Sequence, residues 1–479
     1  MPTIQDFFSL QINLDSSPAV ATKYSLPILL VDHADVPVYT RVRQVTPATY
    51  TTRLTADSEQ YNFFERFYAQ NYPTNPANSR KNIAGYVGRW VSAATKAVRI
   101  FPNASSTITD WTTLAAAGKF NITDGVNPED ISPDFTGDTD MDDVAASITA
   151  AFVASTNYKT YVCSIDALDN LVITGAVAGA ASLSFVLAAG ATGTDMTSAT
   201  YFGNATAYDQ AGLDAETLAA AAVACFAKNN VPTIVFERGA TDVQALEFIT
   251  AMDAIDGKFS VVVTVDPYHA ESTGIAYSAN ALDLGKCHVI YSRQDDDIDA
   301  AAYGENLPQD EGTVDYAINS LVGVSASEFE ADGVTVAEMS EAAVEASDAV
   351  NCDFVTTPYT VTHLARGLCP NGDEVRIVIL KMWAEYNTSL EGYEFMLANN
   401  VNTFTEVFLG GVKGIIEKYM DACVDRNGIE SGYTINMPSA SDFTAIQKAS
   451  HTMTLSDVVT AGIQFAVNNV FASSTWSAQ

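Results

Sequence analysis

Histidine is scarce in this sequence and cysteine is thinly spread. The five histidines (33, 269, 288, 363 and 451) lie far apart, and the six cysteines (163, 225, 287, 352, 369 and 423) form no CxxC pair. That spacing excludes the local signatures of zinc sites and disulfide exchange, and reads as reduced, cytosolic thiol usage. There is no GxGxxG after a strand pattern, no GxxxxGK[ST], no HExxH and no GxSxG. No phosphate cradle, zincin helix or nucleophile elbow is therefore encoded locally. No apolar run reaches the roughly 18 residues of a membrane-spanning helix. No Lys or Arg precedes Lys23 and no apolar run opens the chain, so no signal peptide is expected. The expectation is a chain with no catalytic residues, no cofactor and no metal: not an enzyme.

Positive charge is short as well. Lys and Arg number 24 against 58 Asp and Glu, a net charge of −34. The imbalance is uneven: +3 over residues 1–120, −32 over 121–362 and −5 over 363–479. So acidic a middle repels phosphate backbones, and direct nucleic-acid binding is not expected there. It suits the solvent face of a crowded assembly, while the near-neutral ends are free to meet other protein surfaces. Arg41, Arg43, Arg53, Arg66, Arg80, Lys81, Arg89, Lys96 and Arg99 make the first hundred residues comparatively basic. Salt bridges to the acidic regions of neighbouring subunits and ordinary surface charge are equally open readings of them.

Two acidic clusters invite a cation test. If Asp138 opened an EF-hand loop, Asp143 would stand where Gly is needed and Thr149 where the bidentate Glu is needed. The favoured reading of Asp138, Asp140, Asp142 and Asp143 is a helix start. Asp295–Asp299 is read as a solvated loop.

What is present is a globular pattern. Apolar residues make up 48% of the chain, which rules out disorder, and the length calls for two to four domains. Leu26–His33 reads as a buried strand, residues 56–70 as a helix with Phe63, Phe64, Phe67 and Tyr68 as core, and Ile83–Val91 as a strand. From Leu213 the alternation resumes: helix 213–228, strand Thr233–Phe236, helix 241–255, strand Phe259–Val265, helix 274–284, strand Cys287–Tyr291. This rhythm predicts a mainly parallel sheet covered on both faces. Residues 294–312 read as an acidic loop, and 315–324 and 336–346 as helices. Long helices are expected over 373–399 and 404–426, the second closed by Asn427-Gly428. Strands Lys119–Thr123, Tyr161–Ile165, Leu171–Thr174 and Leu183–Leu187, with helix 140–153, form a small α+β insertion.

The expected fold class is thus α/β plus α+β and multidomain. The domains are an N-terminal arm (1–21), an α/β core (22–115 and 207–355), an inserted outer α+β domain (116–206), a C-terminal α+β domain (356–452) and a C-terminal arm (453–479). Both ends carry strict period-two patterns. Phe8, Leu10, Ile12 and Leu14 alternate with polar residues, and so do Ile463, Phe465 and Val467 with Gln464, Ala466 and Asn468. Neither has an obvious partner nearby, and a lone strand is not stable in water. Each end must return to its own sheet or add to another molecule's.

In order along the chain, SLQINLD (9–15), LPILLVDH, GYVGRWV (85–91), the insertion from KFNITDG to LVITGAVAGAASLSFVL, and AGIQFAVNNVFASS (461–474) resemble the contractile-tail sheath proteins of bacteriophages. The resemblance implies a virion structural subunit that polymerises as stacked hexameric rings in a helical assembly around a tail tube. It implies contraction that drives the tube through the host envelope for genome ejection. Partners would be further copies of the chain, the tail tube protein, and baseplate and tail terminator proteins, with no direct nucleic acid and no membrane insertion. Assembly would take place in the host cytoplasm. The seven arm residues become strand-exchange links, Tyr359–Leu364 and Tyr433–Met437 candidate receiving strands, and Lys413, Lys418 and Arg426 candidate tube-facing charges. A sheath from a related contractile injection system fits nearly as well. A capsid or surface-layer subunit would use similar arms.

Overall fold

The computed structural model describes residues 26–70, 84–180, 185–226, 233–265, 274–292, 296–317, 319–330, 336–339, 341–357, 361–398, 405–437, 439–441, 459–464 and 471–476. Arm residues Phe8, Leu10, Ile12, Leu14, Phe465 and Val467 lie outside these, as do Arg80 and Lys81. The chain divides into two compact units. The larger comprises 1–31, 44–87 and 222–479, and the smaller 32–43 and 88–221. The architecture is the mixed α/β and α+β one that the sequence implied.

The larger unit is built on the main sheet. Leu26–Val31, Thr233–Glu237, Lys258–Thr264, Cys287–Tyr291 and Asp353–Thr356 run parallel, side by side in that order. His363–Leu364 closes one edge antiparallel. Beyond Leu26–Val31 the sheet continues through Gly85–Arg89 and Val42–Val45, and the division of the chain runs through both. The central strands are apolar along their length because both faces are covered: Ile28, Leu29, Leu30, Val235, Phe236 and Val261 are all buried. Helix Glu59–Tyr68, capped by Ser58, supplies Phe63, Phe64 and Phe67 to this core, and Phe63 lies 5.0 Å from Phe236, ring centre to ring centre. Helix Asp242–Asp253 starts on a capping box between Thr241 and Gln244.

Three stretches differ from the sequence expectation. Ile298–Asn306, inside the expected acidic loop, is a helix with every residue buried. It crosses helix Glu59–Tyr68 closely, since a Cβ on Gly304 would lie 2.3 Å from the Phe67 carbonyl oxygen. Among the described residues of 315–324 there is no helix, because their backbone is bonded elsewhere. Leu321 N–H donates to the Thr362 carbonyl and Val322 N–H to Gln70 Oε1, each at 2.8 Å. The 336–346 stretch splits into strand Val336–Glu338, paired with Glu328–Glu330, and helix Glu341–Ala349.

Toward the C-terminus, helices Val375–Ala398 and Glu406–Asp425 share a core of Leu380, Ala384, Leu409, Val412, Ile416 and Met420. Thr405 caps the second helix, and Asn427 in the left-handed region (φ 55°) ends it, with Gly428 N–H bonded to the Cys423 carbonyl.

The smaller unit holds two sheets over one core. Tyr208–Gln210, Lys96–Phe101, Leu171–Ala178 and Val162–Ile165 are antiparallel neighbours in that order. Gly118–Thr123 pairs with Glu129–Ile131 and Val186–Ala189 antiparallel and with Thr194–Asp195 parallel. Helix Met141–Ala154 begins at Asp140, whose carboxylate accepts Asp143 N–H at 2.9 Å, so the acidic run is a helix start. Trp111, Phe120, Phe135, Phe152 and Phe202 fill the core. The unit is wider than 116–206 because Lys96–Phe101 pairs with Leu171–Ala178 and so belongs to the same sheet.

Candidate assembly interface

Thr434–Ile435, Val459–Gln464 and Phe471–Trp476 make a three-stranded antiparallel sheet with Val459–Gln464 in the middle. Its pairing is lopsided. On one side Val459–Gln464 is matched along its whole length, Val459 facing Trp476 and Gln464 facing Phe471. On the other side only Val459 and Thr460 are matched, to Ile435 and Thr434. Among the described residues no strand pairs with Ala461–Gln464 on that side, nor with the outer edge of Phe471–Trp476. Unpaired edges of this kind are templates for an added strand.

Ile463 is in the middle strand, where the period-two pattern places a strand, and it faces Ala472 of its own chain. This hairpin is absent from the sequence reading, which found no partner nearby. The signal available was Asn468-Asn469, a turn-forming composition ahead of a second short run. The two candidate receiving strands fall in different sheets. Thr434–Ile435 is in this one, whereas His363–Leu364 is an edge of the main sheet.

The three candidate tube-facing cations also part company. Lys413 lies on the exposed side of helix Glu406–Asp425, 3.5 Å from Glu417 one turn on. Lys418 is exposed as well, donating to Glu391 at 2.5 Å. Arg426 turns into the fold. Its Nη1 donates to the carbonyl and carboxylate of Glu311 at 3.1 and 3.3 Å, and its guanidinium lies 3.8 Å from the Trp383 ring centre. The same helix shows Val407 to solvent at 86% exposure, one turn before Gly410 and two before Gly414.

Polar side chains missed in the sequence reading occupy the core of the main sheet. The strand order reverses between Leu26–Val31 and Thr233–Glu237, the place where α/β folds usually open a ligand crevice at the carboxyl ends of the strands. Here Arg238 fills that position. It donates to both carboxylate oxygens of Asp299 at 2.8 and 2.7 Å and to Asp297 at 2.8 Å, and lies 5.2 Å from the Phe63 ring centre. Asp299 is fully buried, so Asp297 and Asp299 are not the solvated loop expected of them. Burial works against the charge on Arg238, but the two carboxylates hold it firmly charged. Burial pushes the neighbouring Glu237 carboxyl up to about 7, against the pull of Arg238.

A second polar centre joins strands Cys287–Tyr291 and Asp353–Thr356 to helix Ile298–Asn306. His288 Nε2 is 3.0 Å from Asp353 Oδ2, and its Nδ1 is 3.0 Å from the Tyr303 hydroxyl. Asp353 further accepts the N–H groups of Phe354, Arg366 and Gly367 at 2.9, 3.0 and 2.7 Å. His288 and Asp353 are entirely buried, and their bonds tie these elements together. All six cysteines are buried, and burial raises the thiols of Cys163, Cys287, Cys369 and Cys423.

Lys96 is exposed, as ordinary surface charge would be, and the other described basic residues near the N-terminus have partners. Arg41 pairs with Glu216, Arg89 with Asp32 and Arg99 with Asp209, while Arg43, Arg53 and Arg66 donate to the carbonyls of Asp35, Gln44 and Val322. They are bonded within their own chain.

No family model matches the sequence, and no curated protein matches it. Among solved structures, the chain aligns with one from a cryo-EM structure of the anti-feeding prophage (AFP) baseplate, 6-fold symmetrised. The alignment covers 53% of this chain and 72% of that one, at 12% identity and a TM-score of 0.38. Among the described residues no helix is long and apolar enough to cross a membrane.

Proposed function

We propose that the chain is the structural subunit of a phage-type contractile tail sheath. In this reading it forms hexameric rings stacked helically around a tail tube, and it contracts to drive the tube through the host envelope. The observation that supports this best is the half-matched C-terminal sheet. Among the described residues nothing pairs with Ala461–Gln464 on the Thr434–Ile435 side, and the alternating segment containing Leu10, Ile12 and Leu14 has the pattern to pair with such an edge. Strand addition gives affinity through backbone hydrogen bonds and register through alternate side chains. Subunits linked in this way can rotate and slide while staying joined.

Two further features favour a structural role over catalysis. The switch-point position is filled by Arg238 and its carboxylates, and the buried His288–Asp353 pair is closed to solvent. Energy for contraction would come from a metastable arrangement of subunits and would need no nucleotide. Partners in this reading are further copies of the chain, the tail tube protein, and the baseplate and tail terminator proteins.

Deletion tests the reading. Chains lacking residues 1–15 or 460–479 are expected to stay folded, with an unchanged helical signal in circular dichroism, and to run as monomers in analytical ultracentrifugation. Polymers of full length from either truncated chain would contradict the strand-exchange role.

A further inference from the structure

The chain passes between its two units four times, after Val31, Arg43, Val87 and Ala221. Near each passage, within the smaller unit, stands a charged residue: Asp32, Arg41, Arg89 and Glu216. These four are bonded to one another. Arg41 forms a two-pronged pair with Glu216, one prong being Nη2 to Oε2 at 3.1 Å. Arg89 Nη2 meets Asp32 Oδ1 at 2.7 Å. The pairs are cross-linked through the backbone, since Arg89 N–H donates to the Arg41 carbonyl at 2.8 Å and Arg41 Nη1 to the Arg89 carbonyl at 3.4 Å.

Glu216 is tied further. Its carboxylate accepts Val91 N–H at 3.0 Å, its N–H donates to the Val91 carbonyl at 3.0 Å, and its carbonyl accepts the Trp90 indole N–H at 3.1 Å. Asp32 accepts the N–H of Ser92 at 3.3 Å, and its hydroxyl too. The side chains of Arg41, Arg89 and Glu216 are only 14%, 14% and 15% exposed, so solvent screens these bonds weakly.

Arg41 itself has φ 62°, in the left-handed region that an arginine rarely enters. Such a conformation persists where surrounding bonds over-determine it. Here the Arg41 side chain and carbonyl are both engaged, and Tyr39, two residues before it, is anchored by hydrogen bonding to Asp166 and Asn170.

We propose that Asp32, Arg41, Arg89 and Glu216 form a latch that fastens the four chain passages into one body at the margin of the smaller unit, and that holds segment 32–43 in a strained conformation which relaxes when the latch opens. The latch is a conformational device of this unit and stands whether or not the chain is a sheath protein.

Native-state hydrogen exchange on the full chain tests it. In Glu216→Gln the amides of Arg89, Val91 and Glu216 should exchange about tenfold faster, as expected for lost charge-assisted bonds, while Phe120, Ile122 and Ile173 in the same unit keep their protection. No change at the three amides, or an equal rise throughout the unit, would overturn the latch. Should Glu216→Gln not fold, Glu216→Asp keeps the charge and should give the same pattern more weakly. The strain has its own test. Arg41→Gly and Arg41→Ala both remove the pair, but only glycine accepts the left-handed backbone freely, so Arg41→Gly should retain more protection over 36–43. Equal protection, or more in Arg41→Ala, would show that Arg41 is unstrained.

Discussion

Removing the guanidinium at residue 238 would leave Asp297 and Asp299 as buried carboxylates without their cation. Arg238→Met is therefore expected to cost about 3–5 kcal/mol, read as a lowered midpoint in urea. Glu305 is the opposite case. Its Oε2 is buried with no hydrogen-bond partner, and burial pushes the carboxyl from 4.5 up to about 7. The folded state thus holds a proton that the unfolded state has lost between these two values. The stability it contributes is complete below pH 4.5 and is lost as pH rises through 7. Glu305→Gln should flatten the fall in stability between pH 5 and pH 8, measured by urea unfolding at several pH values. An unchanged slope would mean that Glu305 finds a cation. At this scale the sequence was least legible. Arg238 lies 59 and 61 residues before Asp297 and Asp299, and an acidic string gives no sign that a distant arginine will enclose it.

Elements were read better where the period was long and the ends were marked. The parallel strands Leu26–Val31, Thr233–Glu237, Lys258–Thr264 and Cys287–Tyr291, the helix capped by Asp140 and the helix stopped at Asn427 follow the pattern of apolar runs and capping residues, whereas strand Asp353–Thr356 was not expected. The failures have a common cause in tertiary bonding. Ile298–Asn306 looked like a loop because its first turn is acidic and Gly304 interrupts it. Yet Asp297 and Asp299 are neutralised by Arg238, and Gly304 is what lets the Phe67 backbone approach. Residues 315–324 had apolar spacing but bond their backbone to Thr362 and Gln70. Glycines in two helices should therefore respond in opposite ways. Gly304→Ala sets a Cβ against backbone and is expected to destabilise by about 1–3 kcal/mol. Gly410→Ala and Gly414→Ala meet open space and should each stabilise by about 0.5–1 kcal/mol from helix propensity. Thermal unfolding of the three variants distinguishes these outcomes, and a stabilised Gly304→Ala would show that the two helices do not cross there.

The whole molecule carries a net charge of −34, with −32 in residues 121–362. Some of that charge is internal: Asp299, Asp353, Glu237 and Glu311 are buried beside arginines, histidine or backbone donors. The remainder would make neighbouring subunits repel in an assembly, so raised salt should shift any extended–contracted balance. The alternating pattern at the C-terminus was legible, but its return to its own chain was not, because strand pairing depends on a turn that period-two alternation does not encode. Among the described residues that pairing leaves the edge at Ala461–Gln464 open, and the proposed strand exchange would take place there. Negative-stain electron microscopy of the purified full-length chain tests it most directly. Long hollow cylinders with six-fold end views, lost when residues 1–15 are removed, are the predicted result. Closed shells, flat lattices or small uniform particles from the full-length chain would contradict it.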